Sequence, residues 1–197
     1  SQDEEFIHGL AGLILGAKQE TIETFGALYI NGYQNIKFWL VLSDLYFSIR
    51  NYGKCREVLE TIIEHHPDNA DFRVKKASAT LRLGDIAATT EELEAFLLKT
   101  PGNIKVIECL VECYMAANNF RKASNQLRHI WNSSGISFKT LENYFVCLLK
   151  LGNTSEALNI AISALSSAFS HDERHKILMD CFRLQIEYDP SKHPLLE

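Results

Sequence analysis

The segment IKFWLVLSDLYFSIRNYGKCREVLETIIEHHPDN, residues 36–69, contains two runs of apolar residues with helical spacing. In the first run, Trp39, Leu42 and Tyr46 recur at intervals of three and four residues, which is typical of one face of an amphipathic helix. In the second run, Leu59 and Ile62 have the same spacing. The segment therefore predicts two helices of about fourteen residues that are joined by a tight turn.

The same organisation recurs along the chain with a period of 34 residues. Pro67 and Pro101 are separated by one period, and Gly16, Gly84 and Gly152 follow one another at two periods. A fixed period of this size is typical of stacked repeats. Five units then follow without insertion or deletion, over residues 2–35, 36–69, 70–103, 104–137 and 138–171.

Polar residues mark the expected starts and ends of the helices. Asn, Asp and Ser side chains accept hydrogen bonds from the first helical turn and so favour N-cap positions. The predicted caps of the first helices are Asn35, Asn69, Asn103, Ser137 and His171, and those of the second helices are Ala17, Asn51, Asp85, Asn119 and Asn153. The preceding position holds Gly16, Arg50, Gly84, Asn118 and Gly152, and four of these five residues tolerate the left-handed backbone that ends a helix.

Positions one period apart also share their size and polarity. Apolar side chains recur in the second helices at Phe25, Leu59, Leu93, Leu127 and Ala161, and again at Leu28, Ile62, Phe96, Ile130 and Ala164. We expect a further packing position at the ends of the first helices, at Leu15, Ile49, Leu83, Ala117 and Leu151. Small residues predict close helix contacts at Gly9, Ser43 and Ala77, and at Thr21, Cys55, Thr89, Ala123 and Ala157. In the last two units, the position of Gly9, Ser43 and Ala77 holds the larger residues Val111 and Phe145, so we expect these units to pack differently.

In type and spacing, Trp39, Ser43, Tyr46, Cys55 and Pro67 resemble the tetratricopeptide repeat, a helix-turn-helix unit of 34 residues. The third unit departs from the pattern, since Arg73 and Lys76 stand where the Trp and the Leu belong. The resemblance covers residues 2–171 and implies an all-α fold, a right-handed α-α superhelix.

Residues 172–188 are expected to form a capping helix and 189–197 a tail. The alternative is a closed helical bundle. The apolar Phe6, Ile7 and Leu10 also suggest that another part of a longer protein packs on the first unit.

Tetratricopeptide proteins generally bind a peptide or helix in a concave groove lined by the first helices, so the resemblance implies an adaptor or scaffold without catalysis. The expected groove positions are Leu13, Leu40, Asp44, Phe47, Val74, Leu81, Glu108, Glu112, Met115 and Leu149, together with Phe6 and Leu10. The position of Leu13, Phe47, Leu81, Met115 and Leu149 is apolar in all five units, which suggests a binding strip, although these side chains could instead fold into the core. The Lys and Asn residues with which some family members bind a chaperone's C-terminal carboxylate are absent here.

Charges in the expected groove indicate the chemistry of a partner. The acidic residues are Asp44, Asp71, Glu108, Glu112 and Glu142, and the basic residues are Lys37, Arg82, Lys105 and Lys139. A partner helix with Leu or Phe at positions i and i+3 or i+4, and with some Lys or Arg, suits this surface. The alternative function is that of a dedicated chaperone for a secreted or assembling client, as in type III secretion.

Composition argues against other classes of protein. The chain has 20 basic and 25 acidic residues, a net charge of −5 that disfavours direct nucleic-acid binding, including that of pentatricopeptide repeats. No apolar run is long enough to insert into a membrane. The first residues are acidic where a targeting segment would be basic. Five cysteines, Cys55, Cys109, Cys113, Cys147 and Cys181, lie in predicted helices and suggest buried thiols in the cytoplasm or another reducing compartment.

Residues with catalytic or ligating chemistry are sparse. Cys113 and Cys147 are one period apart, at a helix spacing of about 8–10 Å that is too wide for a disulfide. His171 and His175 have the spacing of a zinc-binding helix but fall at an expected helix start, so we expect no metal. No phosphate loop, catalytic triad or carboxylate pair is present. The sequence predicts no cofactor.

Overall fold

The computed structural model describes residues 1–133, 137–165 and 170–188. Within this part of the chain it is all-α and contains eleven helices. The helices are α1 (Gln2–Ile14), α2 (Lys18–Ile30), α3 (Ile36–Ser48), α4 (Tyr52–His65), α5 (Ala70–Arg82), α6 (Ile86–Lys99), α7 (Ile104–Ala116), α8 (Phe120–Ser133), α9 (Phe138–Lys150), α10 (Thr154–Leu165) and α11 (His171–Tyr188). Ten helices thus form five successive pairs, and α11 follows them. The predicted tail, 189–197, lies outside the described residues.

The polar residues at the starts of the first helices act as N-caps. The side-chain oxygen of Asn35 accepts hydrogen bonds from the backbone N–H groups of Lys37 and Phe38 at 2.9 and 3.3 Å. Equivalent side-chain caps are made by Asn69, Asn103 and Ser137. These bonds satisfy donors of the first turn that have no partner within the helix, and the predicted caps are confirmed at these positions.

The last cap of that series is displaced by one residue. Ser170, rather than His171, precedes α11, and its hydroxyl accepts a bond from the N–H of Glu173 at 3.3 Å. The Glu173 carboxylate accepts a bond from the N–H of Ser170 at 2.8 Å. This reciprocal pair is a capping box, which an imidazole at position 171 cannot form. The prediction of His171 as the cap was therefore wrong.

The caps of the second helices are mixed. Asn51 and Asn119 accept bonds from the N–H groups of Lys54 and Lys122. Ala17 and Asp85 make no side-chain cap. Ala17 and Asp85 are nevertheless the N-cap residues of α2 and α6, as predicted. The side-chain hydrogen bond expected of a polar cap is confirmed for the two asparagines and is not formed by Asp85.

Every turn within a helix pair contains one residue in the left-handed conformation. The φ angles are 87° at Gly16, 61° at Arg50, 85° at Gly84, 56° at Asn118 and 74° at Gly152. A glycine or asparagine predicted this left-handed conformation at four of the five positions. Arg50 adopts it as well, although the Cβ atom of an L-residue makes it unfavourable.

The recurring apolar positions of the second helices form the cores of the pairs. All ten of these residues are buried, and so are the small residues Thr21, Cys55, Thr89, Ala123 and Ala157. Gly9, Ser43 and Ala77 are buried too, as expected of close contacts between helices. The position occupied by Leu15, Ile49, Leu83, Ala117 and Leu151 is instead exposed. The expectation that it packs was wrong, because this residue ends the first helix and projects outward at the turn.

The chain divides into two compact units, Ser1–Cys109 and Leu110–Glu197, at a point within α7. The first unit has a core rich in aromatic side chains, in which Phe38 and Phe25 contact edge to face at 5.4 Å between ring centroids. The second unit buries Leu110, Tyr144 and Leu148. No helix of the described residues is both long enough and apolar enough to cross a bilayer.

Candidate functional site

Besides Phe6 and Leu10, helices α1, α3 and α5 carry six of the predicted groove residues, and these six differ in their surroundings. Leu13 of α1 and Leu40 of α3 are half-buried against the aromatic core. Asp44, Phe47 and Val74 lie together around a pocket. Leu81 is half-buried farther along α5 and does not line that pocket.

Phe6 was expected in the groove, but it belongs to the core. Its side chain is 8% exposed, and its ring contacts the rings of Phe25, Tyr33 and Phe38 at centroid distances of 5.5, 6.0 and 5.6 Å. In α1 the positions of Trp39 and Leu42 hold Glu5 and His8, which do not fill an apolar interior. Phe6 supplies the missing volume, and Leu10 packs partly against the same core.

The pocket lies between α3, α4 and α5. Its volume is about 240 Å³, and its lining residues are Ser43, Asp44, Phe47, Cys55, Leu59, Val74, Lys75 and Ser78. Cys55 and Leu59 come from the second helix of the pair and are themselves buried, so they form its base. Phe47 is 37% exposed and contacts Tyr52 edge to face at 5.2 Å. The pocket therefore combines an apolar base with an exposed aromatic side.

Ion pairs connect the first helices along this surface. The Lys75 ammonium donates to the Asp44 carboxylate at 2.8 Å, on the rim of the pocket. The Lys105 ammonium donates to Asp71 at 2.7 Å, next to an open polar depression at the starts of α5 and α7. Each pair links a first helix to the first helix of the following pair. Asp44 and Asp71, two of the acidic side chains expected to receive a partner's cations, are thus already paired with lysines of the chain.

The second unit repeats this arrangement. Lys139 donates to Glu112 at 2.5 Å, and Lys176 of α11 donates to Glu142. Asp71 and Lys105 are 34 residues apart, as are Glu142 and Lys176. An opposite charge one period further along the chain was therefore the sequence signal for these two pairs, and the groove prediction did not take it into account.

The remaining predicted groove residues lie on α7 and α9. Glu108 and Met115 are half-buried, and Leu149 is 37% exposed. Against α9, the buried Ile177 of α11 helps to line a narrow cleft of about 20 Å³ with Phe138, Leu141 and Phe145.

Charged residues replace the expected Trp and Leu in the third pair. The guanidinium of Arg73 donates to Glu92 at 3.1 Å and lies over the Phe96 ring, 4.6 Å from its centroid. The Lys76 ammonium donates to the same carboxylate at 2.8 Å. These two cations are only 17% exposed, and both contact the Glu92 carboxylate inside the helix pair. The Glu60 carboxylate of α4 lies 3.7 Å from the Lys76 ammonium and supplies a second negative charge. The pair keeps its fold because ionic contacts take the place of an apolar one.

Four cysteines of the described residues, Cys55, Cys109, Cys113 and Cys147, are buried reduced thiols, as the sequence predicted. Burial raises the pKa of the Cys55 and Cys147 thiols to about 11. Both are therefore protonated near neutral pH and are poor nucleophiles. The side chain of Cys181 lies outside the described residues.

His171 and His175 are exposed. Among the residues that the structure describes, no group of three His, Cys, Asp or Glu side chains is placed to hold a metal ion.

Comparison with solved structures identifies the fold. A tetratricopeptide-repeat protein from Thermus thermophilus, TTC0263, has a TM-score of 0.62 at 14% identity, and the match covers 92% of this chain and 100% of that chain. One from Parabacteroides merdae ATCC 43184 has a TM-score of 0.60 at 13% identity, covering 92% and 71%. The MamA protein gives 0.69 at 13% identity, covering 98% of each chain. No family model and no curated protein sequence matches the chain. The chain therefore has the tetratricopeptide-repeat fold, with five helix pairs and a further helix.

Proposed function

We propose that this chain with the tetratricopeptide-repeat fold is a non-catalytic adaptor that holds a segment of a partner protein against the first helices of its first unit. Proteins with this fold are generally scaffolds for protein interactions, and the proposed adaptor function is one form of that general role. The single observation that carries the proposal is the pocket between α3, α4 and α5, because three of the predicted groove residues line it.

The lining of the pocket suits an apolar anchor from the partner. Leu59 and Cys55 close its base, and Val74 and Phe47 are apolar side chains that remain partly accessible. Removing apolar surface from water stabilises a complex by roughly 25 cal/mol for each Å² that is buried. A Leu or Phe side chain of the partner is therefore the expected occupant.

Charge on the rim contributes to orientation more than to affinity. Asp44 and Lys75 neutralise each other at 2.8 Å while remaining substantially exposed. An exposed ion pair of this kind contributes about 0–1 kcal/mol and is easily exchanged for another. A partner segment with apolar residues at i and i+3 or i+4, flanked by Lys or Arg, can pair with Asp44 as its anchor enters the pocket.

Affinity purification tests this proposal. The full chain, tagged at its C-terminus, is used to isolate partners from the source organism, in parallel with the double variant Phe47→Glu, Leu81→Glu. The matched control is Ile30→Glu, Leu98→Glu, which places the same charges on exposed apolar residues of second helices.

We expect one partner to be recovered with the wild type and the control but lost with the groove variant. Unfolding is monitored by helical circular dichroism and melting temperature. Recovery of the same partner with all three proteins would place the interaction elsewhere. A large fall in melting temperature for the groove variant would show that Phe47 and Leu81 are core residues.

A further inference from the structure

The contact between α5 and α6 has charged side chains at positions that are apolar in other helix pairs. In the third pair, Arg73 and Lys76 of α5 occupy two such positions. The second, fourth and fifth pairs have buried apolar residues there, which are Trp39, Ile107 and Leu141 at the first position and Leu42, Leu110 and Tyr144 at the second. On α6, Glu92 stands one period after Val58, which is buried in α4. We call Arg73, Lys76 and Glu92 the charged cluster.

The apolar volume that the charged cluster displaces is not made up by α5. In the first pair, Phe6 fills the space left by polar neighbours, but its counterpart two periods later, Val74, is half-buried and lines the pocket between α3, α4 and α5. The buried residues of α5 are all small, namely Ala77, Ala79 and Thr80. Those of α3 include Phe38, Trp39, Leu42, Leu45 and Tyr46. Burial of large apolar side chains in the third pair therefore depends on Leu93 and Phe96 of α6.

Ionic contacts within the charged cluster take the place of that apolar packing. The Glu92 carboxylate accepts from the Arg73 guanidinium at 3.1 Å and from the Lys76 ammonium at 2.8 Å, and Glu60 lies 3.7 Å from the same ammonium. Glu92 is 34% exposed, so water reaches this contact. Charged groups regain hydration when they separate, whereas separated apolar side chains do not. Separation of α5 from α6 is therefore opposed less strongly than separation of an apolar helix pair.

We propose that the third helix pair opens locally at the contact between α5 and α6 while the other pairs stay folded. The aromatic core of the first unit includes Ala79, so α5 is anchored to α3 and α4. The opening therefore separates α6 from α5 and exposes the buried Thr89 and Leu93 to solvent. The third pair is thus a point of conformational change within the row of helix pairs. This opening involves no partner protein, so its test is independent of the proposed function.

Thiol labelling of Thr89→Cys in the full chain tests the opening. Thr89 is 3% exposed, and Cys55 is its counterpart in the second pair at 2%. Buried Cys113 and Cys147 serve as native controls in the fourth and fifth pairs. With N-ethylmaleimide, and with each modified cysteine identified by peptide mass spectrometry, residue 89 should be labelled roughly tenfold faster or more than these three thiols. Labelling of residue 89 at the rate of the native thiols would overturn the proposal.

Variants of the charged cluster in the Thr89→Cys protein test the cause of the opening. Arg73→Trp, Lys76→Leu, Glu92→Val gives the third pair the residues of the second, and it should slow labelling of residue 89 by about tenfold. An unchanged rate in a folded triple variant would contradict the proposal.

A single substitution gives a second test, which also decides the matter if circular dichroism shows that the triple variant does not fold. Glu92→Gln should speed labelling of residue 89, because Arg73 and Lys76 lose the carboxylate that both contact. Glu91→Gln is the matched control, since it removes the same charge from an exposed neighbour and should leave the rate unchanged. Equal labelling rates in these two variants would overturn the proposal.

Discussion

Gly9 of α1 lies directly against the ring of Phe25 in α2. A Cβ atom added to residue 9 would overlap the edge of that ring, with Cζ only 2.8 Å away. Phe25 is fully buried and contacts Phe6 and Phe38, so it has no free space into which to move. The absence of a side chain at residue 9 is therefore what allows the first helix pair to close.

Gly9→Ala should destabilise the protein by about 1–3 kcal/mol, because the added methyl group overpacks the contact with Phe25. Gly53→Ala is the matched control, since a Cβ at residue 53 of α4 meets no atom within 4 Å. The control should be neutral or stabilising by up to about 1 kcal/mol, as alanine favours helix. Urea denaturation measures both changes, and a neutral Gly9→Ala would contradict the close contact between residue 9 and the Phe25 ring.

Arg50→Gly should stabilise the protein by about 1 kcal/mol. Arg50 adopts a φ of 61°, and this left-handed conformation costs an L-residue about 1–2 kcal/mol that glycine does not incur. Arg50→Ala removes the same long side chain but keeps the Cβ atom, so it should give no such gain. Equal stability of the two variants in urea denaturation would show that the backbone at residue 50 is not strained.

Glu92→Ala should destabilise the third helix pair by about 1–3 kcal/mol, because the half-buried Arg73 and Lys76 lose the carboxylate that both of them contact. Glu91→Ala, on the exposed side of the same helix, should stay within about 0.5 kcal/mol of the wild type. Thermal melting followed by circular dichroism compares the two. If the variants melt together, the ionic cluster does not stabilise the pair.

Stability should decrease at alkaline pH. Burial raises the pKa of the Cys55 and Cys147 thiols to about 11, whereas an unfolded cysteine has a pKa of about 8.5. Between these values the folded state binds more protons than the unfolded state. The free energy of unfolding is therefore fully retained below about pH 8.5 and is lost as pH rises toward 11.

Urea denaturation at a series of pH values measures this loss. Cys147→Ala should have a smaller pH dependence over the same interval, whatever its effect on stability at neutral pH. An unchanged dependence would mean that the Cys147 thiol does not titrate as its burial requires.

The 34-residue period was sufficient to predict the fold. It located the helix pairs, the asparagine caps and the buried positions of the second helices, because each of these is dictated by local sequence. Asn35 and Leu59, for example, have roles that follow from their own chemistry and spacing. The fold class could be predicted for the same reason.

Other features depend on tertiary context that the period does not encode. Phe6 enters the core because Glu5 and His8 leave space there, a relation between neighbouring positions rather than a property of one. Arg50 adopts the same left-handed conformation as the glycine or asparagine at the equivalent position of the other pairs. It does so because the packing of the helices on either side fixes the turn. The lining of the pocket by Cys55 and Lys75 depends on how three helices approach one another.

Site-specific photo-crosslinking tests the proposed groove most directly. Benzoylphenylalanine replaces Phe47 at the pocket, and in a separate protein it replaces the exposed Leu98 of α6. After irradiation in the source organism, we expect position 47 to yield a covalent adduct with a single partner and position 98 to yield none. The absence of an adduct from position 47, or the same adduct from position 98, would contradict binding at this surface.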